Sequence, residues 1–319
     1  MSPRIEFEAE VPDELAGWRL DQALARMFPD YSRARLQQWI RQGEVTIDGR
    51  VLRPRDRLVG AERVVVRATL EEPETPRPQP IPLQIVYEDE ALLVIDKPPG
   101  MVVHPAAGNP QGTLQNALLH YAPELGSIPR AGIVHRLDKD TSGLLVVARS
   151  LAAHHHLVAE LQARALRREY DAVVLGVMTA GGTVEAPIGR HPVDRKRMAV
   201  RDGGKPAVTH YRVAERFRAH THVRVTLETG RTHQIRVHMA HLGYPLVGDR
   251  VYGGRLRLPP RSGPRLAEVL RGFRRQALHA ARLGLVHPVS GEPMDWQVPL
   301  PEDIRGLIEA LRQDREAQG

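Results

Sequence analysis

Polar and apolar residues follow two different periods along this chain, and each change of period marks an element. Leu20, Ala23, Leu24 and Met27 recur at helical spacing. Leu36, Trp39 and Ile40 do so again after Ser32, whose hydroxyl suits a helix N-cap. The pattern then switches to alternation: Val45 and Ile47 lead into the hairpin-turn dipeptide Asp48-Gly49, and Arg63 to Arg67 offers a further short strand. These segments predict a compact α/β module over residues 1–70. The stretch EEPETPRPQPIP at 71–82 holds five prolines and no apolar period, which predicts an extended linker and a domain boundary.

Strands predominate over 83–319. IVYEDEALLVIDKP predicts two strands around an acidic turn, and TLQNALLHYA predicts a helix. Residues 143–148 predict a buried strand, SLAAHHHLVAELQARAL a helix opened by Ser150, and REYDAVVLGVM another strand. Glycine turns at Gly181-Gly182 and Gly203-Gly204 divide further strands, ending with the strict alternation of Val223, Val225 and Leu227. Strands joined by hairpins predict a mainly antiparallel mixed sheet with helices segregated to one side, so the fold class is α+β.

Composition narrows the class of function. Hydrophobic residues make up 42% of the 319 and charged residues 26%, as in a folded globular chain. There is no cysteine, which excludes disulfides, thiolate zinc sites and cysteine nucleophiles and makes the cytoplasm the natural compartment. The acidic N-terminus and short apolar runs predict neither a signal peptide nor a membrane span. Lys and Arg total 45 against 38 Asp and Glu, and the pI of about 10.0 favours a polyanionic partner such as nucleic acid.

Three stretches gather polar residues beside structural signals: HRLDKDTSG at 135–143, RREYDAVV at 167–174 and ETGRTHQIRVHMAHLGYPLVGDRVYGG at 228–254. Each has a purely structural reading. Asp138 could cap a turn before a strand, and Tyr170 could pack a sheet edge. Thr232 fits a helix N-cap and Gly243 a helix stop. A cation at Arg231, near that helix start, runs against the helix dipole and calls for a carboxylate partner. His238 and His241 share a helix face, but no HExxH and no convincing third ligand accompanies them, so no metal is expected. GxxxxGK[ST], GxGxxG and GxSxG are all absent, which leaves a nucleotide cofactor or a serine nucleophile without a foothold. Between Arg231 and Arg282 eleven arginines face only Asp249 and Glu268. What remains is carboxylate chemistry in a basic groove.

Taken in order and spacing, HRLDKDTSGLLVVA, REYDAVV and TGRTHQIRVHMAHLGYPLVGDRVYGG resemble the motifs of the pseudouridine synthase family, which modifies uridines in ribosomal and transfer RNA. GWRLDQALARMFPDYSRARLQQWIRQGEVTIDGRVL resembles an S4 RNA-binding domain. The order S4, linker, catalytic domain is that of the family's large-subunit ribosomal members, and the likeness covers nearly the whole chain. It implies an S4-like α/β module at 1–70, a linker at 71–82 and a synthase domain at 83–319. It also implies that Asp138 is the nucleophile or general base for cleavage of the uridine glycosidic bond, that Arg231 pairs with it by opposite charge, and that Tyr170 stacks on the target base. Arg136 matches an arginine that wedges into the RNA helix as the uridine flips out. Thr141 and Ser142 support the loop. In the S4 module Arg33, Arg35, Arg41 and Arg50 belong to a basic surface suited to RNA phosphates and shape. The resemblance further implies a large-subunit (23S) rRNA or pre-ribosomal substrate at the helix 69 stem-loop, no metal or other cofactor, and a monomer.

Two rival functions share these residues. A non-catalytic RNA-binding or ribosome assembly factor requires Asp138 to be dispensable. A glycosidic hydrolase requires Asp138 and Asp140 to flank one substrate, which a two-residue offset does not by itself achieve.

Overall fold

The computed structural model describes residues 4–69, 76–106, 108–194 and 197–318, which divide into two compact units, Met1–Thr75 and Pro76–Gly319. The first unit comprises β1 (Arg4–Glu10), α1 (Leu20–Met27), α2 (Arg33–Gln42), β2 (Val45–Ile47) and β3 (Arg63–Thr69), with an antiparallel sheet in the order β1-β3-β2. The helices bury Leu20, Leu24, Leu36, Trp39 and Ile40 against Val45, Ile47, Val64 and Val66. Ser32 accepts a hydrogen bond from the Arg35 N–H at 3.3 Å, and Gly43, at φ 77°, closes α2 in the left-handed region where glycine is free of strain. Asp48 and Gly49 both have positive φ, as the dipeptide predicts, but the turn returns only as far as Arg50, and β2 pairs instead with β3. β1 is not among the elements the pattern predicts. Ile5, Phe7 and Ala9 alternate there with charged residues, and Glu6 and Glu8 pair across the strands with Arg67 and Arg63.

Of the expected linker, residues 71–75 lie outside the described residues. Residues 76–82 form no helix or strand but are tied to the second unit. The Asn116 amide donates to the Arg77 carbonyl at 2.8 Å, and the Gln79 side chain accepts from the Gly112 N–H at 2.7 Å.

The second unit is built on a nine-stranded sheet. Its strands are β4 (Ile85–Glu88), β5 (Leu92–Lys97), β6 (Ser142–Ala148), β7 (Arg167–Leu175), β8 (Gly182–Glu185), β11 (Val208–Arg216), β12 (His220–Leu227), β13 (Leu278–Val286) and β14 (Pro293–Gln297). Their order is β4-β5-β6-β13-β7-β12-β11-β8, with β14 beside β13. A separate ribbon joins β9 (Ile188–Arg190) to β10 (Met198–Val200). The pairings are antiparallel except β6 with β13, where Ser142 opposes His279 and Gly143 opposes Ala280. Gly143 makes this approach possible: its φ is 112°, and a Cβ there would stand 2.2 Å from the Ala280 carbonyl oxygen.

The helices are not segregated to one side of the sheet. α3 (Leu114–Tyr121) and α5 (Gln234–His241) share a core with Leu93, Ile95, Leu145, Tyr170, Val223 and Val225. On the other sheet face, α4 (Leu151–Gln162) packs with Leu92, Val94, Leu144 and Val146, while α6 (Pro264–Gly272) and α7 (Glu302–Gln318) pack with Val173. Both faces are covered, which is why every residue of β6 is buried and its sequence shows a continuous apolar run rather than alternation. Among the described residues no helix is long and apolar enough to cross a membrane.

Candidate active site

Asp138 occupies the loop immediately before β6, and a set of buried polar groups holds that loop. Upstream, Ile133 bridges to Val147, and His135 accepts the Val146 N–H at Nε2 (3.2 Å), so the chain runs along the strand before it turns. The turn closes with the Thr141 N–H donating to the Asp138 carbonyl at 3.1 Å. Gln276 then donates to the Thr141 hydroxyl at 3.0 Å, Ser142 bonds His279 at 2.9 Å, and Arg275 donates to the Asp140 carbonyl at 3.0 Å. Thr141 and Ser142 therefore anchor the loop to the chain leading into β13.

Lys97, at the end of β5, is wholly buried and donates to the carbonyls of Pro98 (2.7 Å), Met101 (3.0 Å) and Lys139 (3.1 Å). Burial pulls its pKa down to about 8, against the opposing charges of Asp140 and Asp138. Three carbonyls and two nearby carboxylates replace the water this ammonium has given up.

The partner of Asp138 is Arg236. Its Nη1 donates to Asp138 Oδ2 at 3.0 Å, while Nε and Nη2 grip Asp249 at 2.6 and 3.0 Å in a two-pronged contact. Asp249 has no exposed side-chain surface and also accepts the N–H groups of Val251 and Tyr252. Burial opposes the charge on Arg236, but the bonds and charges of Asp249 and then Asp138 outweigh it and raise its pKa. Burial likewise acts to raise the Asp249 pKa, and the Arg236 bonds reverse the sign. The Arg236 guanidinium lies 5.0 Å from the centroid of the Tyr252 ring. The Tyr252 hydroxyl bonds His233 Nδ1 at 2.8 Å, which leaves His233 Nε2 3.8 Å from Asp138. Asp138 opens on a cleft of about 60 Å³ whose lining includes Tyr170, Leu227, Ile235 and Leu278, with Arg136 and Arg231. A carboxylate held by a buried guanidinium, facing an aromatic ring and aliphatic side chains, suits chemistry on a flat polar ring withdrawn from water.

A family model described as RNA pseudouridylate synthase matches residues 91–241, and one described as S4 domain matches residues 18–64. Ribosomal large subunit pseudouridine synthase D of Pseudomonas aeruginosa is 61% identical over 317 residues, covering 99% of each chain. The chain belongs to the RNA pseudouridylate synthase family. The protein of the same name from Escherichia coli (strain K12) is 56% identical over 317 residues, covering 99% of this chain and 97% of its own. Among solved structures, human RNA pseudouridylate synthase domain containing 4 aligns with a TM-score of 0.57 at 26% identity, covering 72% of this chain and 93% of that one. Human RNA pseudouridylate synthase domain containing 1 aligns with a TM-score of 0.53 at 25% identity, covering 76% of this chain and 98% of that one.

In this synthase Asp138, Tyr170, Arg136 and Arg231 all line one cleft, but the expected pairing of Arg231 with Asp138 does not occur. Arg231 directs Nε to the Pro206 carbonyl at 3.0 Å, and its N–H is held by the Gln234 side chain at 2.9 Å. The reason is where α5 begins. Thr232 is not its N-cap; His233 is, in the left-handed region at φ 57°. Gln234 binds the Arg231 N–H, the Thr229 hydroxyl, the Val208 carbonyl and the Thr209 hydroxyl, which locks the preceding turn. Arg236, in the first turn of the helix, is the cation aimed at the carboxylates. The acidic partner expected for Arg231 is not met; the cation at this helix start that has carboxylate partners is Arg236. Lys97, Gln234 and Asp249 are further residues the motifs did not single out. His238 bonds Thr209 at 2.8 Å and the Ala186 carbonyl at 2.9 Å, so both ring nitrogens are engaged.

Tyr170 lies on β7 opposite Val225 and Ala280, and burial raises its pKa. In the S4 unit Arg33 is tied through Nε and Nη2 to the fully buried Asp21 at 3.2 and 2.7 Å. Arg33 thus serves the interior of that unit as well as its surface. Arg41 and Arg50 are exposed and Arg35 half-buried.

Proposed function

We propose that this synthase modifies large-subunit ribosomal RNA at the helix 69 stem-loop, as a cytoplasmic monomer, with Asp138 as the catalytic carboxylate. In the reaction the N1–C1′ bond of uridine breaks, the base turns, a C5–C1′ bond forms, and the C5 proton is exchanged for one on N1. The atoms balance without oxidant, metal or cosubstrate. The observation that carries the reading is the contact of Arg236 with Asp138, which fixes this carboxylate in the wall of the cleft that Tyr170 also lines. In this reading Asp138 assists departure of the base, either by attack on the ribose or by proton removal, and Tyr170 stacks on the ring. Arg136 fills the gap left by the flipped uridine. The S4 unit supports the choice of a structured RNA, and the relatives named for the ribosomal large subunit support the choice of that RNA.

The rivals have less support. Asp140 does not line the cleft, so a paired-carboxylate hydrolase lacks its second group. A purely RNA-binding role gives no reason to maintain a buried Asp138–Arg236–Asp249 network at the desolvation cost such networks carry. Mapping pseudouridines in rRNA from cells with and without the gene tests the proposal. Loss confined to helix 69 is expected. Loss elsewhere in the large subunit reassigns the target, and an unchanged map contradicts the function.

A further inference from the structure

Beside the catalytic cleft lies a larger cavity, of about 480 Å³, whose lining includes His104, Arg130, His135, Arg136, Arg168 and Gly230. Arg136, Arg168 and Gly230 line both spaces. No Asp or Glu is among the described residues of the larger cavity's lining. A space walled by three arginines without a carboxylate is built for an anion.

Arg168 singles out the place where that anion binds. The residue is only 6% exposed, yet among the described residues no carboxylate forms a salt bridge with it. Among the described residues its Nε has no hydrogen-bond partner, and Nη2 reaches the Glu228 carbonyl at 3.4 Å. A buried, permanently charged guanidinium without a carboxylate partner, bordering a basic cavity, is placed to take an anion. Gly230 leaves room for the guanidinium: a Cβ at 230 would stand 2.8 Å from Arg168 Nη1. Arg168 is two residues before Tyr170 on β7, so an anion bound to it adjoins the place of the target base.

We propose that Arg168 receives an RNA phosphodiester flanking the flipped uridine, and that the basic cavity beside it takes the adjoining nucleotide. This rests on the reading that a uridine enters between Asp138 and Tyr170. The guanidinium then gains in the complex the partner it lacks in the free protein, so the ordering of Arg168 is prepared before RNA arrives. A planar fork suits a phosphate's paired oxygens better than an ammonium does.

The test uses the full-length protein and a synthetic large-subunit rRNA stem-loop. Single methylphosphonate linkages, neutral in place of the phosphate charge, are placed in turn on either side of the target uridine, with 2′-O-methyl-only RNAs as controls. Wild type should lose tenfold or more in affinity at one flanking linkage and little at the other. Arg168→Met should bind the all-phosphate and neutralised RNAs equally, at the weakened level. It should also melt higher than wild type without RNA, because an unpaired buried cation has been removed. Arg168→Gln, which keeps an N–H for Glu228, repeats the comparison if the Met variant is insoluble. If wild type forms pseudouridine but is indifferent to both linkages, or if both variants melt lower than wild type, the phosphate assignment is overturned and Arg168 is structural. If wild type forms no pseudouridine on any RNA offered, the functional reading itself fails and takes the proposal with it.

Discussion

Asp138 and Asp249 never touch each other, yet both are fixed by Arg236, whose Nη1 holds the first at 3.0 Å while Nε and Nη2 hold the second at 2.6 and 3.0 Å. The buried Asp249 orients the guanidinium, and the guanidinium orients the Asp138 carboxylate. Arg236→Lys keeps the charge but cannot make the two-pronged contact and reach Asp138 together. We expect it to lower the single-turnover rate about 100-fold, the scale of loss for an ångström of misplacement. Asp249→Ala should cost about 3 kcal/mol of stability, because it leaves a buried arginine short of a partner. Rapid quench of pseudouridine formation and denaturant melts check the two.

Arg231 makes a sharper contrast. Among the described residues its side chain bonds a carbonyl, that of Pro206, and no carboxylate, so Arg231→Ala should slow the saturated single-turnover rate by less than tenfold while weakening RNA affinity. A decrease comparable with that of Arg236→Lys would return Arg231 to the catalytic role that the motif implies.

Three histidines, His220 and His279 buried and His135 half-buried, make stability depend on acid. Burial, the largest cause in each case, lowers the pKa of His135 to about 3 and those of His220 and His279 to about 4, from an ordinary value of 6.5. The unfolded chain therefore takes up protons that the folded chain refuses. Stability from these groups is complete above pH 6.5 and declines as pH falls toward 4, by up to about 1.4 kcal/mol per pH unit for each histidine. Melts of the catalytic unit between pH 7 and 5, above most carboxylate titration, should show the decline. His220→Gln should reduce its slope by about one proton, and an unchanged slope would show that His220 is protonated in the fold.

The S4 unit should act by engaging RNA phosphates. Removing residues 1–75 should flatten the salt dependence of RNA binding by roughly 0.7 to 0.9 in log–log slope for each phosphate that the unit neutralises. Saturated single-turnover activity should survive, because Asp138, Tyr170 and Arg236 all belong to the second unit. A binding series over salt concentration, run beside that rate, checks both halves of the expectation.

Much of this architecture is legible along the chain because it depends on local signals. Ser32 and Ser150 cap the helices expected of them, and the motifs bring Asp138 and Tyr170 to one cleft. What escapes is long-range. Arg236 is ninety-eight positions from Asp138, and only the turn locked by Gln234 decides which arginine of GRTHQIR faces it. Lys97 ends an ordinary apolar strand, and its role depends on three carbonyls gathered from two loops. Cover on both sheet faces does leave a local sign, the continuous apolar run of β6, but which helices supply that cover is decided by long-range packing.

The most direct test of the account is a single-turnover assay of Asp138→Asn on the rRNA stem-loop, with binding and folding measured on the same preparation. The amide keeps nearly the shape of the carboxylate but cannot act as nucleophile or base. The variant should fold, bind RNA and form no pseudouridine over many wild-type half-lives. Pseudouridine formed at an appreciable rate by a preparation free of deamidated protein would contradict it.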